Sequence, residues 1–272
     1  MKRNIFHYRT EEVTPYIDWS YFLHAWGMGN ATADKLAVQE LLHEAKEMLE
    51  SHSKELCSKA VFVLCNATGK DDDIYIEGER LPLLRQQHSI EGKPNLCLSD
   101  FVSPKGDQIG LFATTVDDRF CSRYTDDGYR SIMARTLADR IAEATATLMH
   151  RTVRTDKEFW GYTPDEQLTI EQLNREEYQG IRPAIGYPSL PDQSIIFIID
   201  RILGLKEIGI TLTPNGAMYP HASVCGMMLA HPMSRYFGIG EISEEQLNDY
   251  SARRGLPAEE IKRFLVRNIQ DL

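Results

Sequence analysis

Cysteine is scarce in this chain and shows no pairing pattern. The 272 residues include five cysteines, an odd number, and no Cys-x-x-Cys pair occurs. Such scattered cysteines are typical of reduced thiols in the cytosol and do not suit a disulfide framework. The chain also lacks an apolar run of about eighteen residues, and its start, MKRNIFHYRTEEVTPY, has no signal-peptide core. We therefore expect a cytoplasmic protein without a membrane partner.

The chain has fewer positive than negative charges and lacks the common catalytic motifs. The chain carries 30 Lys and Arg residues against 40 Asp and Glu residues, a formal net charge of -10. This sign disfavours a nucleic-acid partner or an anionic membrane surface. Gly-x-Gly-x-x-Gly, the phosphate-loop motif and Gly-x-Ser-x-Gly are missing, and the histidines show no paired-ligand spacing. Dinucleotide, phosphate-loop, hydrolase and metal-site functions are left without support.

Apolar residues at three- and four-residue steps predict several helices. Capping-box signatures at Thr169 and Ser243 mark the starts of two of them. In SIIFIIDRILG the β-branched residues also fit a strand, but the length and the final Gly204 favour a helix. The predicted helices cover residues 31 to about 54, 129–153, 169–178, SIIFIIDRILG, 243–255, and a last one that Pro257 opens.

Short β-rich runs separate these helices. They are AVFVLC at 60–65, which turns through NATGKDDD into DIYIEGE, then QIGLFATT at 108–115, GITLTP, SVCGMMLAH and RYFGIG. Strands joined by short turns, without a strict strand, helix, strand alternation, favour an antiparallel sheet. The predicted fold is α+β, with a mainly antiparallel sheet and flanking helices.

The segment GIRPAIGYPSLPDQS at 180–194 is rich in proline and glycine and must be an irregular loop. Pro183 keeps Arg182 extended, so a stiff backbone presents a guanidinium that can bind a carboxylate through two hydrogen bonds. Gly186 permits a positive φ, and Tyr187 supplies an aromatic face. This combination suits a small zwitterion with an aromatic group. The alternative is an arginine that forms a salt bridge within the protein.

Several segments occur in the order in which a known family has them. They are IDWSYFLHAW, ADRIAEA, FWGYTPDE, EYQGIRPAIGYPSLPD and ASVCGMMLAHPMSRYF, supported by CLSDFVSPK and QIGLFATT. Together they closely resemble the C-terminal activation domain of cobalamin-dependent methionine synthase. The resemblance runs from about residue 17 to 268. It implies that residues 1–272 form a single curved α+β domain around a twisted, mainly antiparallel sheet.

Members of this family bind S-adenosylmethionine and reactivate cobalamin. The resemblance implies that flavodoxin or a similar donor reduces cob(II)alamin, and that the methyl group of S-adenosylmethionine then traps the reduced form. The protein would thus be the activation component of a methyltransferase, methyltetrahydrofolate–homocysteine methyltransferase, with cobalamin carried by a partner chain. Because the nucleophile is cobalt, no side chain is predicted to be catalytic.

The resemblance also carries a ligand-binding set onto this chain. Arg182 would hold the ligand's carboxylate, and Asp18 would hold its α-ammonium group. The aromatic pair, Tyr236 and Phe237, would contact the ligand, because a ring face suits the sulfonium. These residues also fit structural roles. Asp18 fits a helix N-cap, and Glu143 fits a solvated position on a helix. The aromatic pair fits two strand residues whose side chains point to opposite sides. The set comprises Asp18, Arg182, Ala184, Gly186, Tyr187, Tyr236 and Phe237, with Glu143 as a lining residue.

Some positions depart from the family's pattern. Ile185, Leu190 and Gln193 replace proline, cysteine and histidine, and CGMML at 225–229 replaces an aromatic-rich stretch. The methionines could re-pack against a different corrinoid or partner. The Asp-x-His-x-x-Gly signature of a cobalamin domain is missing, and the first family segment begins at Ile17. We therefore expect a free-standing activation protein that acts on a separate cobalamin-bearing methionine synthase chain.

An acidic electron donor requires a local basic face on this acidic chain. A flavodoxin-like donor would otherwise be repelled by the net charge of -10. The candidate groups are Arg151, Arg154 and Lys157, and Arg253, Arg254, Lys262, Arg263 and Arg267. Two other functions fit the resemblance as alternatives. One is an S-adenosylmethionine sensor, and the other is a reactivator of a different corrinoid methyltransferase.

Overall fold

The computed structural model describes residues 1–30, 33–88 and 92–269, where strands and helices are interspersed. The strands are β1 Asn4–Arg9, β2 Cys57–Lys70, β3 Asp73–Ile76, β4 Glu79–Pro82, β5 Asp107–Val116, β6 Thr211–Leu212, β7 Met218–Tyr219 and β8 Ser223–Leu229. The helices are α1 Thr10–Val13, α2 Trp19–Ala25, α3 Lys35–Ser51, α4 Arg119–Ser122, α5 Gly128–Thr155, α6 Ile170–Asn174, α7 Ile196–Leu203, α8 Glu244–Arg254 and α9 Ala258–Lys262. No helix in these ranges has the length and apolar character needed to cross a membrane.

A curved sheet forms the centre of the molecule, with the strand order β4-β3-β2-β5-β8 and with β1 also paired to β2. The long strand β2 has three partners, because its first residues pair with β1, its last with β3, and most of its length with β5. β6 and β7 form a separate two-stranded ribbon. Within the described ranges all of these pairs are antiparallel. The predicted α+β fold is confirmed.

Alternation along β2 divides its apolar residues between the two faces of the sheet. Val61 and Val63 join a buried cluster with the residues of α7, whereas Ala60 and Phe62 join a second cluster with the residues of α3 and α5. Successive side chains of a strand point to opposite faces, which produces this division. The sheet is therefore a middle layer between α7 on one side and α3 and α5 on the other.

Several helix ends follow the capping residues that the sequence predicts. The side chains of Thr169 and Ser243 accept the backbone hydrogen bonds that begin α6 and α8. Gly204 caps the C-terminus of α7 and Gly255 that of α8, both in the left-handed conformation. The interpretation of SIIFIIDRILG as a helix is thus confirmed. α5 extends the predicted 129–153 helix by one or two residues at each end.

The ends of several other predicted helices and strands differ from those in the structure. α6 ends at Asn174 instead of residue 178, and α9 ends at Lys262. The predicted start of the first amphipathic helix, Ala31, lies outside the described residues, and α3 begins at Lys35 with Asp34 as its N-cap. β2 continues through NATGK, which the sequence predicts as part of a turn.

One strand was not predicted, and one predicted strand does not form. β1 pairs with the first half of β2 and has no counterpart among the predicted strands. RYFGIG at 235–240 is predicted as a strand but is irregular, so this prediction is wrong. The outer edge of β8, where a further strand would pair, is already hydrogen-bonded to residues 181–185. The two glycines of RYFGIG also weaken strand pairing.

Candidate functional site

The proline-rich loop runs along the outer edge of β8. Backbone hydrogen bonds of 2.9 Å connect the N–H groups of Ile181 and Ile185 to this strand. Because residues 181–185 are extended, their side chains alternate between the two faces of the sheet. Arg182 and Ala184 fall on the face that carries α5, and Ala184 is buried in the α5 cluster.

Two glycines allow the loop to take this course. A side chain at Gly226 of β8 would place its Cβ 2.3 Å from the carbonyl oxygen of Pro183, so the loop can approach only because this residue is glycine. Gly186, beyond the extended part, has a φ of 85°. Its N–H donates to the Leu190 carbonyl at 2.8 Å. The predicted positive φ at Gly186 is confirmed.

Arg182 lies against α5 with part of its hydrogen-bonding capacity unused. Its side chain is 17% exposed. Nη2 donates to Thr147 Oγ1 at 2.9 Å, and Nη1 is 3.7 Å from Glu143 Oε2, too far for a hydrogen bond. Nε is buried and has no hydrogen-bond partner among the residues that the structure describes. The guanidinium is held in place while Nε and Nη1 keep free donors.

Glu143 connects this arginine to Tyr187. The Tyr187 hydroxyl donates to Glu143 Oε1, while the other carboxylate oxygen faces Arg182. Burial raises the pKa of Tyr187 and the charge of Glu143 raises it further, so the phenol remains a neutral donor. Glu143 is 24% exposed, unlike a fully solvated helix residue. With Tyr187 it lines a cavity of about 210 Å³ that also borders β8.

The aromatic pair divides between the site and the core. The Tyr236 hydroxyl accepts a hydrogen bond from the backbone N–H of Arg182 at 2.9 Å. Phe237 packs toward the core, with its ring centroid 6.4 Å from that of Phe101. Its N–H donates to Ser189 Oγ at 3.3 Å. Tyr236 therefore contacts the arginine directly, whereas Phe237 supports the loop from the core side.

Asp18 caps α2. Its Oδ1 accepts hydrogen bonds from the Ser20 N–H at 2.9 Å and from Ser20 Oγ at 2.5 Å, so the N-cap interpretation is confirmed. Tyr16 and Tyr21 on either side of it contact α5 at positions 151 and 140. Those positions bracket the turns of α5 that face Arg182 and lie on the same helix face. Asp18 itself makes no hydrogen bond to the arginine among the described contacts.

α5 contributes residues near Arg182 that the sequence did not assign to the binding site. Thr147, His150 and Arg154 follow Glu143 at three- and four-residue steps and share its side of the helix. Thr147 binds the loop arginine, and the buried Arg154 forms two hydrogen bonds with Glu166 at 3.0 and 2.6 Å. Helical spacing from Glu143 could have indicated these positions. It could not indicate their partners, which come from distant segments.

The methionines of CGMML are interior residues. Met227 and Met228 are both 0% exposed and pack into the clusters on opposite faces of the sheet. These methionines are therefore not at the surface, where they could re-pack against a corrinoid or a partner. Departures within the loop are also built into the fold. Ile185 donates an N–H that a proline would lack, and Gln193 Nε2 donates to the Gly216 carbonyl at 2.8 Å.

The predicted basic faces are largely neutralised. Arg154, Arg253 and Arg254 have side chains no more than 14% exposed, and each forms an ion pair with a buried carboxylate. An ion-paired, buried arginine adds little to the external field, so the prediction of a basic face is wrong for these residues. The exposed members of the two groups are Lys157, Arg263 and Arg267.

The chemistry available around Arg182 is that of ligand binding. Across the ranges that the structure covers, no group of three or more His, Cys, Asp or Glu side chains is placed to hold a metal ion. All five cysteines are free thiols. A cation with unused donors, a carboxylate and two phenols can together bind a zwitterion.

Comparison with known proteins identifies the family. The model of the family described as "Vitamin B12 dependent methionine synthase, activation domain" matches residues 9–255 of this chain. The MetH reactivation domain, which has a crystal structure with bound AdoHcy, is 35% identical in sequence to this chain. The two structures superpose with a TM-score of 0.91. This match covers 100% of the present chain and 91% of that chain. The resemblance carried by the sequence motifs is confirmed, and the chain belongs to the family of the vitamin B12-dependent methionine synthase activation domain.

Proposed function

We propose that this protein binds S-adenosylmethionine as the activation component of cobalamin-dependent methionine synthase. The observation that carries the proposal is the enclosed guanidinium of Arg182, whose Nε and Nη1 make no hydrogen bonds within the described part of the chain. A buried cation with unused donors matches a carboxylate. The MetH reactivation domain, bound to AdoHcy in its crystal structure, supports a ligand of this class.

In the proposed complex, charged residues hold the amino-acid end of the ligand. Arg182 binds the carboxylate, which replaces the distant contact with Glu143. Asp18 attracts the α-ammonium group from the start of α2. Glu143, released from the arginine, would share this cation. Opposite charges at both ends of the amino-acid group would fix its orientation.

The remaining residues of the set shape the surroundings of the sulfonium. The Tyr236 hydroxyl contacts the backbone of Arg182 and the Tyr187 hydroxyl contacts Glu143. In the proposed complex their rings would supply the aromatic faces that attract a cation. The backbone of Ala184, which pairs with Gly226 at the edge of β8, and of Gly186 in the turn beyond it would form the adjacent wall. Phe237 holds the loop from the core side. The cavity of about 210 Å³ beside Glu143 and Tyr187 would receive part of the ligand.

The reaction that we propose needs no acid or base from this chain. Reduced cobalamin, held by a methionine synthase chain, accepts the methyl group, and S-adenosylhomocysteine is released. A flavodoxin-like donor supplies the electron for the preceding reduction. The residues of this protein bind the sulfonium and orient its methyl group, so their contribution is positioning.

Calorimetric titration of the purified chain with S-adenosylmethionine tests the binding step. Arg182→Ala should weaken binding about tenfold to hundredfold, because hydrogen bonds to charged groups contribute roughly 1.5–3 kcal/mol. Arg175→Ala is the matched control, since Arg175 is an exposed arginine paired with Glu177. It should bind like the unmodified chain. No binding by the unmodified chain, or full binding by Arg182→Ala, would contradict the proposal.

Transfer of a labelled methyl group tests the reactivation step. The chain is mixed with labelled S-adenosylmethionine, a reduced flavodoxin and a cobalamin-bearing methionine synthase fragment without an activation domain. Label should reach the cobalamin only when this chain is present. Binding without transfer would instead indicate a sensor. Transfer only to another corrinoid protein would indicate a reactivator of a different methyltransferase.

A further inference from the structure

Arg182 differs from three other enclosed arginines in the way its guanidinium is held. Arg154, Arg253 and Arg254 lie 2.6, 2.6 and 3.4 Å from carboxylates that are at most 7% exposed. Such a buried pair neutralises the cation inside the protein. The carboxylate that faces Arg182 stays 3.7 Å away, and the close partner of this guanidinium is the neutral hydroxyl of Thr147, at 2.9 Å.

The Thr147 hydroxyl has a defined role at each side. It donates its hydrogen to the carbonyl oxygen of Glu143, one turn earlier on α5, at 3.2 Å. A hydroxyl has a single hydrogen, so a lone pair of the same oxygen accepts from Arg182 Nη2. Thr147 is 9% exposed. The bond to the helix carbonyl selects the rotamer of this β-branched side chain, so the acceptor has a fixed position on α5.

The backbone of Arg182 is fixed separately. Its N–H donates to the Tyr236 hydroxyl at 2.9 Å, and the N–H groups of Ile181 and Ile185 on either side bond to β8. Thr147 holds the tip of the side chain. The arginine is therefore positioned at both ends, while Nη1 makes no hydrogen bond among the described residues and no carboxylate is in direct contact with it.

Glu143 is the competing partner for this guanidinium. Its Oε2 faces Arg182 Nη1, and its other oxygen accepts from Tyr187. Without the Thr147 oxygen, the tip of Arg182 can close the 3.7 Å gap and form a direct ion pair with Glu143. A ligand carboxylate would then have to break that pair before it binds, which costs affinity.

We propose that Thr147 is a positioning residue for the carboxylate of the ligand, because its hydroxyl anchors Arg182 apart from Glu143 without neutralising it. The inference rests on the proposed binding of S-adenosylmethionine and adds a residue outside the predicted ligand set. A guanidinium that is fixed before binding loses little conformational freedom on binding. Since Thr147 acts through Arg182, its contribution should depend on the carboxylate of the ligand.

Thr147→Val tests the proposal because it keeps the shape of the side chain and removes the hydroxyl. Binding of S-adenosylmethionine and of decarboxylated S-adenosylmethionine is measured by calorimetry. The variant should bind S-adenosylmethionine about tenfold more weakly, the effect of roughly one hydrogen bond to a charged group. It should bind the decarboxylated ligand like the unmodified chain. Equal losses for the two ligands, or no loss for either, would overturn the proposal.

Two further substitutions separate the hydroxyl from the packing of α5. Thr147→Ser retains the hydroxyl and should keep the preference for the carboxylate. Thr147→Ala should lose this preference as Thr147→Val does, and alanine, a good helix former, keeps the test valid if valine disturbs the helix. Equal preferences in the serine and alanine variants would exclude a role for the hydroxyl.

Thr136→Val is the matched control. Thr136 also lies on α5, and its hydroxyl donates to the Ile132 carbonyl one turn earlier at 2.9 Å, without an arginine among its described hydrogen bonds. This variant should bind both ligands like the unmodified chain. A loss of carboxylate preference in Thr136→Val would assign the effect to α5 as a whole, and the specific role of Thr147 would be wrong.

The two proposals fail in different ways. If the unmodified chain binds neither ligand, the proposed function is wrong and the inference falls with it. If the unmodified chain prefers the ligand with the carboxylate and Thr147→Val keeps this preference in full, the positioning role is wrong and the proposed function stands.

Discussion

At the scale of single residues, Glu143 is shared between two partners. One carboxylate oxygen accepts a hydrogen bond from Tyr187, and the other lies 3.7 Å from Arg182. A charge contact at this distance stabilises the arginine without using its donors. The arginine therefore stays ordered and can exchange Glu143 for an incoming carboxylate at small cost.

Asp18 combines a structural role with a proposed binding role, and a substitution can separate them. Asparagine is as good an N-cap as aspartate, and its Oδ1 can still accept from Ser20. In Asp18→Asn we expect the free energy of unfolding to stay within about 0.5 kcal/mol of its original value. The affinity for S-adenosylmethionine should fall about tenfold, because the attraction to the α-ammonium group is lost. Urea unfolding and calorimetry measure the two effects.

Asp34→Asn is the control for this substitution. Asp34 caps α3 in the same way, accepting from the Leu36 N–H at 2.9 Å, and it has no proposed contact with the ligand. Both stability and affinity should stay unchanged. An unchanged affinity in Asp18→Asn itself would leave that residue with the N-cap role alone.

At the scale of elements, the sequence predicts best where neighbours along the chain decide the structure. Ser243 and Gly255 fix the two ends of α8 through contacts within the helix. Pro183 restricts its neighbour Arg182, so the extended backbone at the arginine could be anticipated. These features need no knowledge of the rest of the fold.

Predictions fail where distant segments decide. The strand predicted at 235–240 does not form, because residues 181–185 occupy the edge of β8. Arg154 looks like part of a basic face in the sequence, but Glu166 meets it in the interior. Thr147 was missed for the same reason, since its importance depends on where the loop lies. Sequence spacing shows which residues share a face and not what that face contacts.

The contact between the loop and β8 leads to a prediction for Gly226. In Gly226→Ala, the new Cβ would lie 2.3 Å from the Pro183 carbonyl oxygen and 2.8 Å from Ala184 Cα, so the backbone of the loop must move. We expect a loss of about 1–3 kcal/mol in the free energy of unfolding, as for other overpacked sites. Binding of S-adenosylmethionine should weaken as well, because Arg182 moves with the loop. Urea unfolding and calorimetry again provide the measurements.

A second glycine controls for the added methyl group. Gly128 begins α5, and a Cβ there would meet no atom within 4 Å. Gly128→Ala should therefore be neutral or slightly stabilising, because alanine is the better helix former. If Gly226→Ala were as stable as Gly128→Ala, the close approach of the loop to β8 would be wrong.

At the scale of the whole molecule, the C-terminal helices are joined to the binding loop through Asp192. Side chains of α8, α9 and nearby segments form a small apolar cluster that includes Tyr250. Tyr250 also donates its hydroxyl hydrogen to Asp192 Oδ2 at 2.7 Å, and Arg254 Nε lies 3.4 Å from the same oxygen. Asp192 lies in the loop that carries Arg182. The C-terminal part therefore stabilises the loop from its far end.

Tyr250→Phe tests this connection. The variant keeps the apolar ring and removes the donor to a carboxylate that is 1% exposed. The free energy of unfolding should fall by about 1–3 kcal/mol, because a buried charged acceptor loses a partner. Tyr219→Phe is the matched control, since the half-exposed Tyr219 donates to Asp118 Oδ2 at 2.9 Å at the surface, where water can replace it. That variant should lose less than about 0.5 kcal/mol. Equal losses in urea unfolding would show that burial of the Asp192 contact does not matter, and the proposed support of the loop by α8 would then fail.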